Sequence, residues 1–388
     1  MKITGDQALV KKINTTLILD TIRLHAPISR ADVADITGLN KATVSNLVND
    51  LIERNLVLEL GPGQSSGGRK PLMLLFNRHA GYAIGINLDV DRYQALLCDL
   101  SGQIVIDSGV IKLSSQEPKA VLQSLCDTAR ELIAQVPESP YKVIGIGIGV
   151  PGMVDERGTI QFAPNLGWEN VPLQAWLEEQ FPELTISVEN EANSGAIGEY
   201  RYGAGKSSPH LIYVSVGAGI GTGIIIGGEL LRGAFGYSGE MGHMTIEANG
   251  RKCSCGNRGC WELYASEKAL DDERLQLPFS TIEEAIQLAA KDDPAALHAL
   301  HQIGEYIGIG VTNLVNTFNP QLIIIGNKLA PSENWVSNSL SRTVQQRALR
   351  SHQDGMRIVF STLGTHAAAL GAASTVISSF IGQTKITV

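Results

Sequence analysis

Three thiols and one imidazole stand within eighteen residues: His243, then Cys253-Ser-Cys255-Gly-Asn-Arg-Gly-Cys260. Three sulfur donors and one nitrogen complete the tetrahedral set of a structural zinc site, with no position open for catalysis. A Cys-x-Cys redox pair is the competing reading. The third cysteine and the nearby histidine favour the metal. Two carboxylates flank the ligands, Glu240 three residues before His243 and Glu262 two after Cys260. The metal would hold both in fixed places, so the segment points to a small-molecule pocket as well as a structural knot.

Such a pocket needs a frame. From Gly81 onward, strand-like and helix-like segments alternate. Strands are expected at 82–90, 93–100, 103–113, 143–149, 185–188, 211–216, 221–226, 322–325 and 357–361. Helices are expected at 118–135, 172–181, 192–202, 262–270, 282–290, 294–316, 333–349 and 367–381. Two blocks of similar order imply a two-lobed α/β body with a cleft between the lobes.

The N-terminal segment has a different character. Leu9, Val10, Ile13, Leu17, Ile18 and Ile22 recur at helical spacing across 6–26. Ser29 is a plausible cap for a second helix, with Asp32 three positions on. Thr37-Gly38-Leu39 makes a turn, and Asn40 caps a third helix over 41–55. That helix turns Val44, Leu47, Val48 and Leu51 inward and leaves polar side chains outside. This is a helix-turn-helix layout. Strands at 56–61 and 71–76 would flank a wing containing Gly67-Gly68-Arg69-Lys70. Candidate DNA contacts are Ser29, Arg30, Lys41, Thr43, Ser45 and Asn46, with Arg69 and Lys70 at the minor groove or phosphates.

Charge agrees with this division. The net charge is −8, yet residues 1–77 carry +2, leaving −10 on the remainder. A basic module on an acidic body argues against nucleic-acid binding by the whole surface. At 388 residues, two or three domains are expected. Cys98 and Cys126 stand alone, so the five cysteines suit a reducing compartment. Lys11, Lys12 and Asp20 break any leading apolar run, and a soluble cytoplasmic protein is expected.

Several motifs together resemble the ROK family of repressors and sugar kinases. They are Pro151-Gly152, Pro164-Asn165, Glu189-Asn-Glu-Ala-Asn193, Gly239-Glu-Met-Gly-His243 and the cysteine segment. The resemblance covers essentially the whole chain, and the wing at 63–69 is of the kind carried by the family's repressors. It implies an actin-like body of two ribonuclease-H-like lobes behind a winged helix-turn-helix, and a homodimer or higher oligomer. The corresponding domains would be 1–78, 79–190 (completed by a C-terminal helix at 366–388) and 191–365 with the zinc site. It also implies zinc on His243, Cys253, Cys255 and Cys260, and sugar on Asn165, Asn190, Glu191, Glu240, His243 and Glu262.

The family's kinases join their first strand pair through an Asp-x-Gly-Gly-Thr type of loop. Here Asn87-Leu-Asp89-Val-Asp91 stands instead, and Glu191 replaces their catalytic aspartate. Two carboxylates there would repel a triphosphate. The glycine turn 217–223 is retained, which is weak evidence for a kinase because glycines also serve tight turns. The expectation is a sugar-responsive repressor of palindromic operator DNA, without catalytic residues. The longer Glu191 side chain would fill the space of a hexose hydroxymethyl and favour a pentose such as xylose. A ROK-type kinase, or a repressor answering glucose or an amino sugar, is the alternative.

Overall fold

The computed structural model describes residues 7–62, 72–271 and 276–382. The N-terminal module comprises α1 (Gln7–His25), β1 (Ile28–Ser29), α2 (Arg30–Thr37), α3 (Lys41–Glu53), β2 (Val57–Pro62) and β3 (Leu72–Phe76). Ser29 and Asp32 close a capping box at the start of α2. Gly38, at φ 69°, ends that helix with its N–H on Ala34 O. Asn40 accepts from Thr43 N to start α3. The strands pair in the order β1-β3-β2, all antiparallel. The sequence pattern does not reveal β1, because two residues are too few to alternate.

The first lobe follows with β4 (Tyr82–Leu88), β5 (Arg92–Asp99), β6 (Ile104–Lys112), α4 (Pro118–Ala134) and β7 (Val143–Val150). A small antiparallel sheet comes next: β8 (Met153–Val154), β9 (Ile160–Ala163) and β10 (Trp168–Val171). Then come α5 (Leu173–Gln180), β11 (Thr185–Asn190) and α6 (Glu191–Tyr202). The second lobe has β12 (Leu211–Val216), β13 (Ile220–Ile226), β14 (Glu229–Leu230) and a 3-10 turn, Met241–His243. It continues through α7 (Glu262–Ala265), α8 (Glu267–Leu270), α9 (Ile282–Ala289), α10 (Pro294–Phe318) and β15 (Leu322–Gly326). A second 3-10 turn, Asn327–Ser332, leads to α11 (Glu333–Arg347), α12 (Arg350–Gln353), β16 (Arg357–Phe360) and α13 (His366–Phe380).

The two main sheets repeat one plan. Their orders are β11-β7-β4-β5-β6 and β14-β13-β12-β15-β16. In each, three antiparallel strands are extended by two parallel ones on the side of the first strand. The repetition matches the two-lobed α/β expectation. One expected element is broken. The helix anticipated over 262–270 is interrupted at Ser266, whose hydroxyl donates to Glu262 O (2.7 Å) and accepts from Lys268 N. A serine that caps a following turn competes with the helix that would run through it.

The lobes meet through exchanged helices. α6 leaves the first sheet and packs on β12 and β13 of the second. α13 leaves the second sheet and packs on β4 and β7 of the first. The two helices cross in contact, and small residues make the crossing possible. A Cβ on Gly371 would overlap Ser194 O, and one on Gly198 would overlap Ala367 O. Gly85 and Gly147 likewise let α13 lie against the sheet, where a Cβ would strike Ala369 O or Ala372 O.

The N-terminal module is not a separate bead. Its buried residues Ile18, Val48, Leu51 and Leu74 share one hydrophobic cluster with Ala83, Leu96 and Ile144 of the first lobe. Ala369, Ala373, Val376 and Ile377 of α13 belong to the same cluster. Tyr141 donates to Arg54 O at the end of α3 (2.8 Å) and meets the ring of Phe380 edge-on. Gly371→Ala should destabilise the whole chain, by roughly 1–3 kcal/mol or more as for other overpacked sites. Denaturant unfolding monitored in both the module and the body should show the loss in each.

Candidate functional site

The cleft lies where α6 begins and where the β12–β13 hairpin turns. Asn190 caps α6, its Oδ1 accepting from Ala192 N (2.8 Å) and Asn193 N (3.1 Å). Its amide donates to Gly152 O (2.9 Å), tying α6 to the turn after β7. Glu191 follows as the first helical residue. The opposite wall is the turn Gly217–Gly221, the 3-10 turn of His243 and the start of α7 at Glu262. Together they enclose about 510 Å³. Asn165, Asn190, Glu191, Glu240, His243 and Glu262 all line this one space. For Asn190 the expected role narrows. Its carbonyl oxygen is spent on the helix cap, and its amide offers the cleft one remaining hydrogen.

The cysteine segment forms the floor on one side. A ring nitrogen of His243 and the sulfurs of Cys253, Cys255 and Cys260 all lie within 4.8 Å of one another. Cys253 Sγ is 3.7 Å from His243 Nδ1, and Cys255 Sγ is 3.7 Å from Cys260 Sγ. Tetrahedral zinc with bonds of about 2.3 Å to sulfur needs donors about 3.7 Å apart. The donor set and its spacing therefore fit a structural zinc held by these four residues. Burial and the neighbouring thiols push Cys260 up to about 12, and a bound dication is the ordinary means of reversing such a shift. With Nδ1 turned to the sulfurs, His243 has Nε2 left for the cleft.

Glu262 is buried beside the cluster. Its Oε1 accepts from Lys268 Nζ (2.8 Å) and from the Cys253 thiol (3.2 Å). The break at Ser266 precedes Lys268, which stands six residues from Glu262. An unbroken helix over this segment gives no such pairing, so sequence reasoning missed Lys268. It also missed Ser215 and Asn327. Asn327 donates to Ser215 Oγ (3.1 Å), and Ser215 donates to Glu191 Oε1 (3.1 Å). No local motif marks either residue, since strand pairing brings β12 and β15 together.

The cleft is crowded with acid. Burial is the main force raising Glu191, repulsion from Asp89 adds to it, the Ser215 hydrogen bond opposes it, and Glu240 contributes; the carboxyl is pushed up to about 7. Burial also raises Glu240, with His243 pulling it down and Glu262 pushing it up. A neutral molecule rich in hydroxyls suits such a wall of acceptors, whereas an anion does not. The retained glycines have structural work here. A Cβ on Gly219 would come within 2.7 Å of Glu262 Oε2, and one on Gly221 within 2.8 Å of Ala192 Cβ.

The DNA-facing candidates divide. Lys41 and Asn46 are exposed on α3, and Thr43 and Ser45 are partly exposed. Ser29 is placed otherwise: it is 4% exposed, and its hydroxyl is engaged with Asp32. It caps α2 and, packed within the module, presents almost no surface to DNA. Arg30 is already matched by Glu59 and Asn49. Arg69 and Lys70 lie outside the described residues.

A ROK family model matches residues 83–379, and a MarR family model matches residues 12–64. The chain belongs to the ROK family, and its fold and site define a sugar-responsive transcriptional repressor. It is 47% identical to the "Xylose repressor" of Bacillus spizizenii, over 98% of this chain and 99% of that protein. Among solved structures it is similar to a ROK family transcriptional regulator described as a homolog of the E. coli MLC protein. That likeness has a TM-score of 0.82 at 26% identity and covers 96% of this chain and 97% of the other. A ROK family glucokinase from Streptomyces griseus, in complex with glucose and AMPPNP, aligns with a TM-score of 0.66 at 29% identity. It covers 76% of this chain and 99% of its own.

Glu191 gives a test of the site. Its raised pKa means that the folded chain holds a proton which the unfolded chain releases near 4.5. Its contribution to stability is therefore lost as pH rises from about 4.5 through about 7. Glu191→Gln should melt above wild type at pH 8 and match it below about 4.5. Equal melting temperatures at pH 8 would mean that the carboxyl is not confined as described.

Proposed function

We propose that this chain represses xylose-utilisation genes and leaves its operator when xylose enters the cleft between the lobes. The observation that carries the reading is the convergence of six hydroxyl-binding candidates on one acid-lined cleft. The DNA-binding module shares its core with the first lobe and with α13. Asn165, Glu191, Glu240, His243 Nε2 and Glu262 take sugar hydroxyls, and Asn190 contributes one N–H. A homodimer presents two α3 helices to a palindromic operator, with Lys41, Thr43, Ser45 and Asn46 toward the major groove. Arg69 and Lys70 approach the minor groove or backbone. Sugar favours a lobe arrangement whose half-site spacing no longer fits, which requires different affinity for the two arrangements.

The protein has no catalytic role in this reading. The segment where its kinase relatives cradle phosphate carries Asp89, which faces Lys328 and Arg92 of its own chain. The glycines of the second turn are accounted for by packing against Glu262 and Ala192.

Fluorescence anisotropy of DNA from this gene's upstream region tests the proposal. Protein should bind tightly, and xylose should release it, without ATP and ahead of glucose or N-acetylglucosamine. Release by another sugar alone, or only with ATP, would overturn the assignment. Separately, Glu191→Asp should shift calorimetric affinity toward hexoses by making room beside the pentose. An unchanged hexose-to-pentose ratio would remove Glu191 as the reason for pentose preference.

A further inference from the structure

Beside the effector cleft, charge crosses between the lobes in both directions. Arg92 opens β5 of the first lobe, and its Nη2 lies 2.8 Å from Glu283 Oε1 on α9 of the second. Lys328, in the turn after β15, lies 3.7 Å from Asp89 Oδ2 of the first lobe. Each lobe thus supplies one cation and one carboxylate, and the pairs run crosswise. Lys328 also lies 3.2 Å from Glu267 and 4.0 Å from Glu283, while Arg92 lies 3.7 Å from Asp89 and 3.5 Å from Asp91.

The cluster is joined to the cleft. Asp89 lines the effector space and also a smaller cavity of about 50 Å³, which Arg92, Glu283 and Lys328 line too. Asn327, next to Lys328, steadies Ser215 and through it Glu191. Lys328 is 8% exposed. An ammonium so enclosed is costly unless carboxylates surround it. Glu267 travels with Lys328 in the second lobe, but Asp89 does not. Separating the lobes removes Asp89 from Lys328 and Glu283 from Arg92 at once.

We propose that the Arg92–Glu283 and Lys328–Asp89 pairs form a crossed ionic latch that holds the lobes at the separation in which both walls reach one sugar. These four are positioning residues: they set effector affinity by closing the cleft. The effect on sugar affinity rests on the effector assignment above, whereas the effect on lobe separation does not. The side chains of Arg92 and Glu283 are 29% and 39% exposed, against 8% for Lys328, so charge reversal at these two disturbs less packing than at the lysine.

The test uses the full chain as wild type, Arg92→Glu, Glu283→Arg and the double charge swap. Small-angle scattering without sugar reads lobe separation, and calorimetry with xylose reads affinity. Each single reversal should widen the particle and weaken xylose roughly three- to tenfold, and the double swap should restore most of both. Identical scattering from all four proteins would overturn the latch, as would a double swap no better than either single. If wild type does not bind xylose, the effector assignment fails, and the scattering still decides the latch.

Discussion

Everything in this molecule turns on two helices that touch backbone to backbone. α6 and α13 are exchanged between the lobes and cross where Gly198 and Gly371 leave no room for a side chain. Close approach fixes their angle more firmly than long side chains could, because backbone atoms cannot change rotamer to relieve a misfit. The cleft inherits that precision. Asn190 and Glu191 sit at the start of α6, and the β12–β13 hairpin packs on the same helix through glycines that admit Ala192. The two sheets are thus tied through one tight helix crossing, and each wall of the cleft is built on it.

Within the cleft, the chain accepts an unfavourable charge arrangement. Asp89, Glu191, Glu240 and Glu262 stand around one space, and burial and mutual repulsion raise the pKa of two of them, Glu191 and Glu240. Such crowding weakens the fold and is retained where a ligand relieves it. A ring of hydroxyls, each able to donate to a carboxylate, has the chemistry to do so. The zinc cluster supports the opposite side of the space, since His243 and Glu262 belong to the metal's surroundings and to the cleft together.

Much of this was legible in the sequence, because it rests on local signals. The capping box at Ser29, the αL glycine at Gly38 and the inward face of α3 mark the helix-turn-helix. The spacing of His243, Cys253, Cys255 and Cys260 marks the metal site. What escaped has no local signature. Strands β8, β9 and β10 have two to four residues, too few for alternation to show, yet their sheet carries Phe162 and Asn165 to the rim of the cleft. Lys328 reads as an ordinary surface lysine until tertiary packing encloses it among carboxylates. The cap at Ser29 is a local signal, but its burial is not: only packing of the module leaves that side chain 4% exposed.

The hydrophobic cluster shared by the DNA-binding module and α13 has a consequence for how the chain is made. The helix-turn-helix leaves the ribosome before α13. Residues such as Leu51 and Leu74 thus emerge long before Ala373, Val376 and Ile377, which complete their core. Domains commonly fold as they leave the ribosome, beginning at the N-terminus. The core of this module is complete only once α13 packs on it. A nascent chain therefore cannot become a competent DNA reader until the sensor that governs it has been synthesised.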